Sequence, residues 1–323
     1  MNTKPFKVAL TILAVAGLMA VALPGKQEAV AVNNELSIAA MNGDLKMVDT
    51  LLASGMDSNK IGRTDTTPLM WAAEYGHVDV VKRLLEAKAE VNAINRWGQT
   101  ALILAAQWGH AEVVRLLLAN GADINVTTNQ GKDALMHAAQ YDYQAIAEML
   151  VQKGANLNLA DRKGNTALIH AAAWGATQVL DTIIAKGGEI NAQNKDGYTP
   201  LMVAAEAGHY DAVDHLLGAG AQLTQRHECG CTALLLAAEK GYATVVDRIL
   251  THGGNVNAAN NDGMTALMFA AKSGHLETLR VLVKHGADPS IKDAKGHTVN
   301  AYLKRGTDHN GMAKLINSLS PTI

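Results

Sequence analysis

The chain has 323 residues and a formal charge of −2, from 28 basic and 30 acidic residues. No basic stripe runs along it, which argues against nucleic acid as a partner. Aromatic residues make up only 4% of the chain and there are two cysteines. Because aromatic residues and cysteines are rare in this chain, their positions help to identify candidate functional residues.

The first 31 residues have the pattern of a secretory signal peptide. Lys4 and Lys7 precede an apolar run over residues 8–23, which is shorter than the ~20 residues that span a bilayer. Ala-x-Ala motifs, typical of signal cleavage sites, end at Ala22 and Ala31. We expect cleavage after Ala31 or Ala22 and export to the bacterial periplasm.

An uncleaved signal segment is the alternative, and it would anchor the protein at the inner membrane. Cleavage after Ala31 would remove three lysines and one glutamate, which leaves a mature chain with a charge near −4. We expect this mature chain to be monomeric and to have no membrane span.

The rest of the sequence repeats every 33 residues. A glycine recurs at that interval, and a threonine follows two residues after nearly every one; the glycines are Gly98, Gly131, Gly164, Gly197, Gly230, Gly263 and Gly296. A fixed period of this length is typical of a solenoid, in which each unit buries its apolar face only against its neighbours. Side chains that break the repeat are therefore the candidates for function.

Each unit carries signals for a turn and two helices. In the best-formed unit, residues 194–223, Gly197 supplies the turn and Thr199 is a good helix N-cap. Pro200 occupies the first helical position, where proline is favoured. Paired alanines let neighbouring first helices approach, and Gly208 ends the first helix. The second helix carries apolar residues at helical spacing.

This pattern resembles the ankyrin repeat. We count nine units, beginning near residues 34, 62, 95, 128, 161, 194, 227, 260 and 293. The resemblance implies an all-α solenoid of helix-turn-helix units with short β-hairpin-like turns, forming one domain over residues 32–323. The end units depart from the motif as capping repeats do. We expect unit four to be the least regular, because Asp133 replaces the threonine and Asp142 replaces the helix-ending glycine.

Large aromatic residues interrupt the pattern in units two to five. The resemblance places the two residues after Ala-Ala in a concave groove, where ankyrin proteins generally bind partners. The second of these two residues is aromatic in four successive units: Tyr75, Trp108, Tyr141 and Trp174. The same half of the chain also contains Trp71, Trp97 and Arg96.

We interpret this aromatic row as a binding surface for another protein, because Trp and Tyr are the residues most often found as binding anchors. Helix packing predicts rings about 10 Å apart, with Trp108 and Trp174 substantially exposed. In the alternative interpretation, the rings fill gaps between first helices, which does not explain why the row stops at unit five. A cage for a cation would need rings that converge on one point.

Both cysteines lie in one turn, His227-Glu228-Cys229-Gly230-Cys231. In an oxidising compartment the even count favours a disulfide between Cys229 and Cys231, which would be strained and easily reduced. Free thiols and a metal or redox site that includes His227 are the alternatives. No fourth ligand is indicated, so we expect no resident metal or cofactor.

The histidines divide into two groups. His77, His110, His209 and His275 follow a glycine between the two helices, where the imidazole of the family bonds to backbone. His137 and His170 instead lie 33 residues apart on first helices, where other units have Leu or Val. They could ligate a metal, but we favour half-buried, hydrogen-bonded histidines. No carboxylate or cysteine recurs with them at the 33-residue spacing of the repeat.

No catalytic constellation or phosphate-binding glycine loop occurs in the sequence, and repeat arrays lack the enclosed pocket that most catalysis needs. We therefore predict a non-catalytic periplasmic protein that binds another protein as a scaffold, inhibitor or protective accessory. Similar bacterial ankyrin proteins are linked to hydrogen-peroxide resistance, and others to immunity against a toxic effector. A redox or metal-binding protein that uses the Cys-Gly-Cys turn is the alternative from another class.

Overall fold

The computed structural model describes residues 34–61, 65–303 and 309–317, which form a stack of helix pairs. The predicted signal peptide lies outside the described residues. The first helices of the units are α1 (Glu35–Asn42), α3 (Pro68–Glu74), α5 (Ala101–Gln107), α7 (Ala134–Gln140), α9 (Ala167–Trp174), α11 (Pro200–Ala207), α13 (Ala233–Lys240) and α15 (Ala266–Ser273).

The second helices run antiparallel to the first. They are α2 (Leu45–Ala53), α4 (Val78–Glu86), α6 (Ala111–Ala119), α8 (Gln144–Gln152), α10 (Thr177–Ala185), α12 (Tyr210–Gly218), α14 (Ala243–Thr251) and α16 (Leu276–Lys284). The last unit departs from the others, as expected for a cap: its first helix is a short 3-10 helix (Val299–Tyr302), followed by α17 (His309–Asn317). Within the described ranges, β-pairing is confined to two isolated bridges, Ala160 with Thr166 and Ala259 with Thr265.

The two sides of the stack differ in side-chain size. The paired alanines of the first helices, such as Ala72 and Ala73, are completely buried between units, and the first helices pack more closely than the second helices do. The second helices bury larger residues, such as Val80 and Leu84. The side formed by the first helices is therefore the shorter, concave one.

The first helices begin at the predicted cap residues. The hydroxyl of Thr199 accepts a hydrogen bond from the backbone N–H of Met202 at 3.2 Å, which satisfies an otherwise unpaired donor. In unit four the carboxylate of Asp133 takes over this role and accepts from the N–H of Met136 at 2.8 Å. Burial raises the pKa of Asp133 to about 6, so this replacement adds a buried acid to the unit.

Neighbouring units are also joined by histidines at the start of the second helices. The Nε2 atom of His110 donates to the carbonyl oxygen of Glu74 in the preceding unit at 2.9 Å, and His77, His209 and His275 make the equivalent bond. Gly76 lies under the His110 ring with φ of +74°, and a Cβ at this position would come within 2.5 Å of Nδ1. Glycine thus permits both the left-handed backbone and the approach of the ring.

Unit four replaces this contact with a different one. Asp142 holds the glycine position with φ of +55°, and unit five has Ala176 where units two to four and six to eight have histidine or tyrosine. The carboxylate of Asp142 accepts a hydrogen bond from the N–H of Val179 at 3.2 Å, in the first turn of α10, which has no side-chain cap of its own. The two departures from the repeat therefore compensate each other across one interface.

We predict that Ala176→His destabilises the protein by about 1–3 kcal/mol, because the new ring would overlap the side chain of Asp142. Asp142→Gly should rescue it by opening the same space that glycine provides in other units. The measurement is the free energy of unfolding in urea for both single variants and the double variant. Additive effects of the two substitutions would show that these positions do not compensate each other.

Candidate functional site

The four aromatic residues of the row occupy equivalent positions at the ends of first helices. Tyr75, Trp108 and Tyr141 directly follow α3, α5 and α7, and Trp174 is the last residue of α9. Each is followed by a residue with positive φ, where the chain turns away towards the second helix. The side chains therefore project from the helix ends of four adjacent units.

Three of these rings are largely in solvent. The exposed fraction is 53% for Trp108, 43% for Tyr141 and 47% for Trp174, which confirms the predicted exposure of the two tryptophans. Tyr75 is half-buried, and its ring lies parallel to that of His77 with centroids 6.3 Å apart. The exposed part of the row thus belongs to units three to five.

The expected spacing of about 10 Å is wrong for one pair of rings. The centroids of Tyr141 and Trp174 lie 6.4 Å apart, because long side chains can lean together across the distance that separates their helices. Tyr143, half-buried, lies 5.8 Å from Tyr141 and extends the cluster. Sequence reasoning missed Tyr143, although the replacement of Gly-His by Asp142-Tyr143 was a visible signal.

The remaining aromatic candidates lie at different depths. Trp97 is 50% exposed at a turn tip, with the guanidinium carbon of Arg96 5.2 Å from its ring centroid. The carbonyl of Trp97 accepts from the N–H of Asn129 at 2.8 Å, which ties this tip to the next unit. Trp71 is half-buried and lies 6.3 Å from Tyr75, so it presents less surface to a partner than the other tryptophans.

Polar side chains connect the turns to the first helices beside the row. The amide of Gln99 donates to Gln107 at 3.3 Å, and the ammonium of Lys132 donates to Gln140 at 3.1 Å. Burial lowers the pKa of Lys132. The exposed Lys163 lies on the next turn, so the apolar rings are bordered by amides and cations.

The cysteine turn brings three potential ligands together. The Sγ atoms of Cys229 and Cys231 lie 2.9 Å apart, and Nε2 of His227 lies 3.4 Å from Sγ of Cys229. Cys229 is exposed and Cys231 is buried, and no bond joins their sulfurs in this structure. Burial and the adjacent Cys229 raise the pKa of Cys231. The disulfide between them stays a prediction.

Comparison with known families identifies the architecture. A family model described as ankyrin repeats (3 copies) matches residues 36–128, 88–161, 135–227 and 201–293. The chain belongs to the ankyrin-repeat family. Ankyrin repeats form protein-interaction modules and are typically non-catalytic. A search of the curated proteins found no match to the chain.

Within residues 34–61, 65–303 and 309–317, every helix is too short or too polar to cross a bilayer.

His170 and His137 both lie on first helices of the ankyrin stack but differ in their hydrogen-bond partners. Nε2 of His170 lies 3.0 Å from Oδ2 of Asp161, so the expectation of a hydrogen-bonded histidine is confirmed here, with a carboxylate from another position of the repeat as its partner. Asp161 lies nine residues before His170, in the turn that precedes the first helix of the same unit. The helix folds back against this turn. Burial alone would raise the pKa of Asp161, but hydrogen bonds from His170 and Asn165 lower it to about 2.

His137 has no such partner. The residue nine positions earlier is Thr128, and both ring nitrogens of His137 are buried without a hydrogen-bond partner among the described residues. Burial, followed by the charges of Lys132 and His170, lowers the pKa of His137 to about 4. The expectation of a hydrogen-bonded histidine is therefore wrong at this position.

We predict that His137→Leu stabilises the protein, and more so in acid. The unfolded histidine binds a proton below its ordinary pKa of 6.5, whereas the folded one binds it only near 4. Wild-type stability is therefore present above pH 6.5 and is lost as the pH falls towards 4, by up to about 3 kcal/mol. Urea unfolding from pH 7 to pH 4 measures this difference.

His170→Leu is the matched control for this experiment. It removes the partner of the buried Asp161 carboxylate, so it should destabilise the protein at pH 7 by about 1–3 kcal/mol. A similar pH slope for wild type and His137→Leu would contradict the assignment of the lowered pKa to His137.

Proposed function

We propose that the aromatic row binds another protein on the concave side of the stack. The observation that carries this proposal is the exposure of Trp108, Tyr141 and Trp174, on adjacent units of a chain with 4% aromatic residues. Large aromatic rings bury much area at a low cost in side-chain entropy. A contiguous row of them in water marks an interaction surface.

The surroundings of the row favour a protein surface or an extended peptide as the partner. The adjacent rings of Tyr141 and Trp174 suit an apolar side chain, and Trp97 provides a second apolar contact at the turn tips. Arg96 and Lys163 border this area as exposed cations. Carboxylates on the partner would complement them and increase the rate of association at low salt.

We also propose the cellular setting that the sequence predicts. The protein is a non-catalytic monomer that does not bind nucleic acid and reaches the periplasm after removal of a signal peptide that ends at Ala31 or Ala22. There it serves as a scaffold, inhibitor or protective accessory, with peroxide resistance and immunity against a toxic effector as the two candidate processes. Support for export comes from the residue pattern of the first 31 positions alone.

We predict that Trp108→Ala with Trp174→Ala abolishes capture of the partner from periplasmic extract, because both central contacts are lost. Tagged mature protein is used as bait, and bound proteins are identified by mass spectrometry. An affinity loss of about 100-fold or more is expected, since central aromatic contacts often contribute 2 kcal/mol or more each.

The matched control is Met47→Ala with Tyr210→Ala. These side chains are 48% and 42% exposed but lie on the second helices α2 and α12, away from the row. The control should capture the same protein as wild type. A partner that is retained by the tryptophan variant and lost from the control would move the binding surface to the outer side of the stack.

A further inference from the structure

The turn of unit seven departs from the repeat at three positions at once. In units six and eight the turn begins with Asn194 or Asn260, and each side-chain oxygen accepts from the backbone N–H groups two and four residues later, at 2.8–3.1 Å. His227 replaces this asparagine and keeps the first contact, from the N–H of Cys229 to Nδ1 at 3.3 Å. The two residues whose N–H groups are normally bonded are here both cysteines.

These three side chains converge on one point. The donor atoms of His227, Cys229 and Cys231 all lie within 4.8 Å of one another. The imidazole is held in place by stacking on Tyr198, with ring centroids 4.5 Å apart and an interplanar angle of 11°. The turn therefore presents two sulfur donors and one nitrogen donor on the same side.

Neighbouring residues hold the backbone of this turn in shape. The carbonyl oxygens of Cys229 and Glu228 accept from the backbone and side-chain N–H groups of Asn261, both at 3.1 Å. Arg226 donates to the carbonyl of Gly230 at 2.7 Å. Bonds from the following unit and from within the turn thus fix its shape, so little ordering is needed when a ligand binds.

We propose that this turn binds one soft monovalent cation of the copper(I) type, through the sulfurs of Cys229 and Cys231 and Nε2 of His227. Thiolates select soft ions, and three donors fit an ion of low coordination number, whereas zinc usually takes four ligands. This assignment revises the expectation of no metal. It is independent of the aromatic row, which lies on other units.

Binding would displace the two thiol protons to solvent. The lone pair on Nε2 must face the ion, so the ring proton moves to Nδ1 and the long contact from the N–H of Cys229 is given up. The sulfurs must separate by about 1 Å to admit an ion with metal–sulfur distances of about 2.3 Å. Rotation of the exposed Cys229 side chain provides this movement. A disulfide would use the same sulfurs, so only the reduced pair binds the ion.

The test is anaerobic titration of the phosphine-reduced full chain with copper(I), in competition with a chromogenic chelator. We expect one ion per chain and thiolate-to-copper absorption in the near ultraviolet. Cys229→Ser should weaken binding at least ~100-fold, and His227→Asn at least ~10-fold, since even residues that only support a ligand contribute 10–100-fold. His227→Asn restores the residue of neighbouring turns, so this variant should keep its fold.

Asp196→Ser, at the position equivalent to Cys229 in unit six, is the matched control and should bind copper(I) as wild type does. Circular dichroism of each variant verifies that the fold is retained. Equal affinity of wild type and Cys229→Ser would overturn the proposal. So would one ion shared by two chains, unchanged affinity in His227→Asn, or tighter binding of zinc than of copper(I).

Discussion

The close contact between neighbouring first helices is the constraint on which the rest of the structure depends. Each unit is too small to bury its own apolar face, so it is stable only against its neighbours. The completely buried Ala-Ala pairs set the distance between units. The glycine beneath each histidine ring extends this contact to the second helices. Most side chains of a unit are therefore committed to stacking, and the few that are not are available for binding.

The two candidate sites lie at positions whose side chains are not needed for the stacking of units. The ends of the first helices and the turns touch neighbouring units largely through backbone groups and a few polar side chains, so the exposed side chains at these positions can change with little loss of packing. In units three to five these positions carry exposed aromatic rings, and in unit seven they carry His227, Cys229 and Cys231. One repeating scaffold thus supports an apolar surface and, at a different place, a thiol cluster.

The 33-residue period was sufficient to predict the helix pairs, most of the threonine caps and the exposure of Trp108 and Trp174. These features recur in most units or follow from a fixed position in the unit. Interactions between substituted residues could not be predicted in this way. The pairing of Asp142 with Ala176 and of His170 with Asp161 depends on which side chains face each other across an interface or a fold-back. The contact of Tyr141 with Trp174 depends on side-chain rotamers, which the repeat does not specify.

The most direct test of the central claim is the free energy of unfolding of Trp108→Ala and Trp174→Ala as single variants. If these rings are available for binding and are not part of the stack, each substitution should change that free energy by less than about 1 kcal/mol. A loss of about 3 kcal/mol or more for either variant, which is typical for a tryptophan in a core, would show that the row supports the fold and would contradict its proposed role.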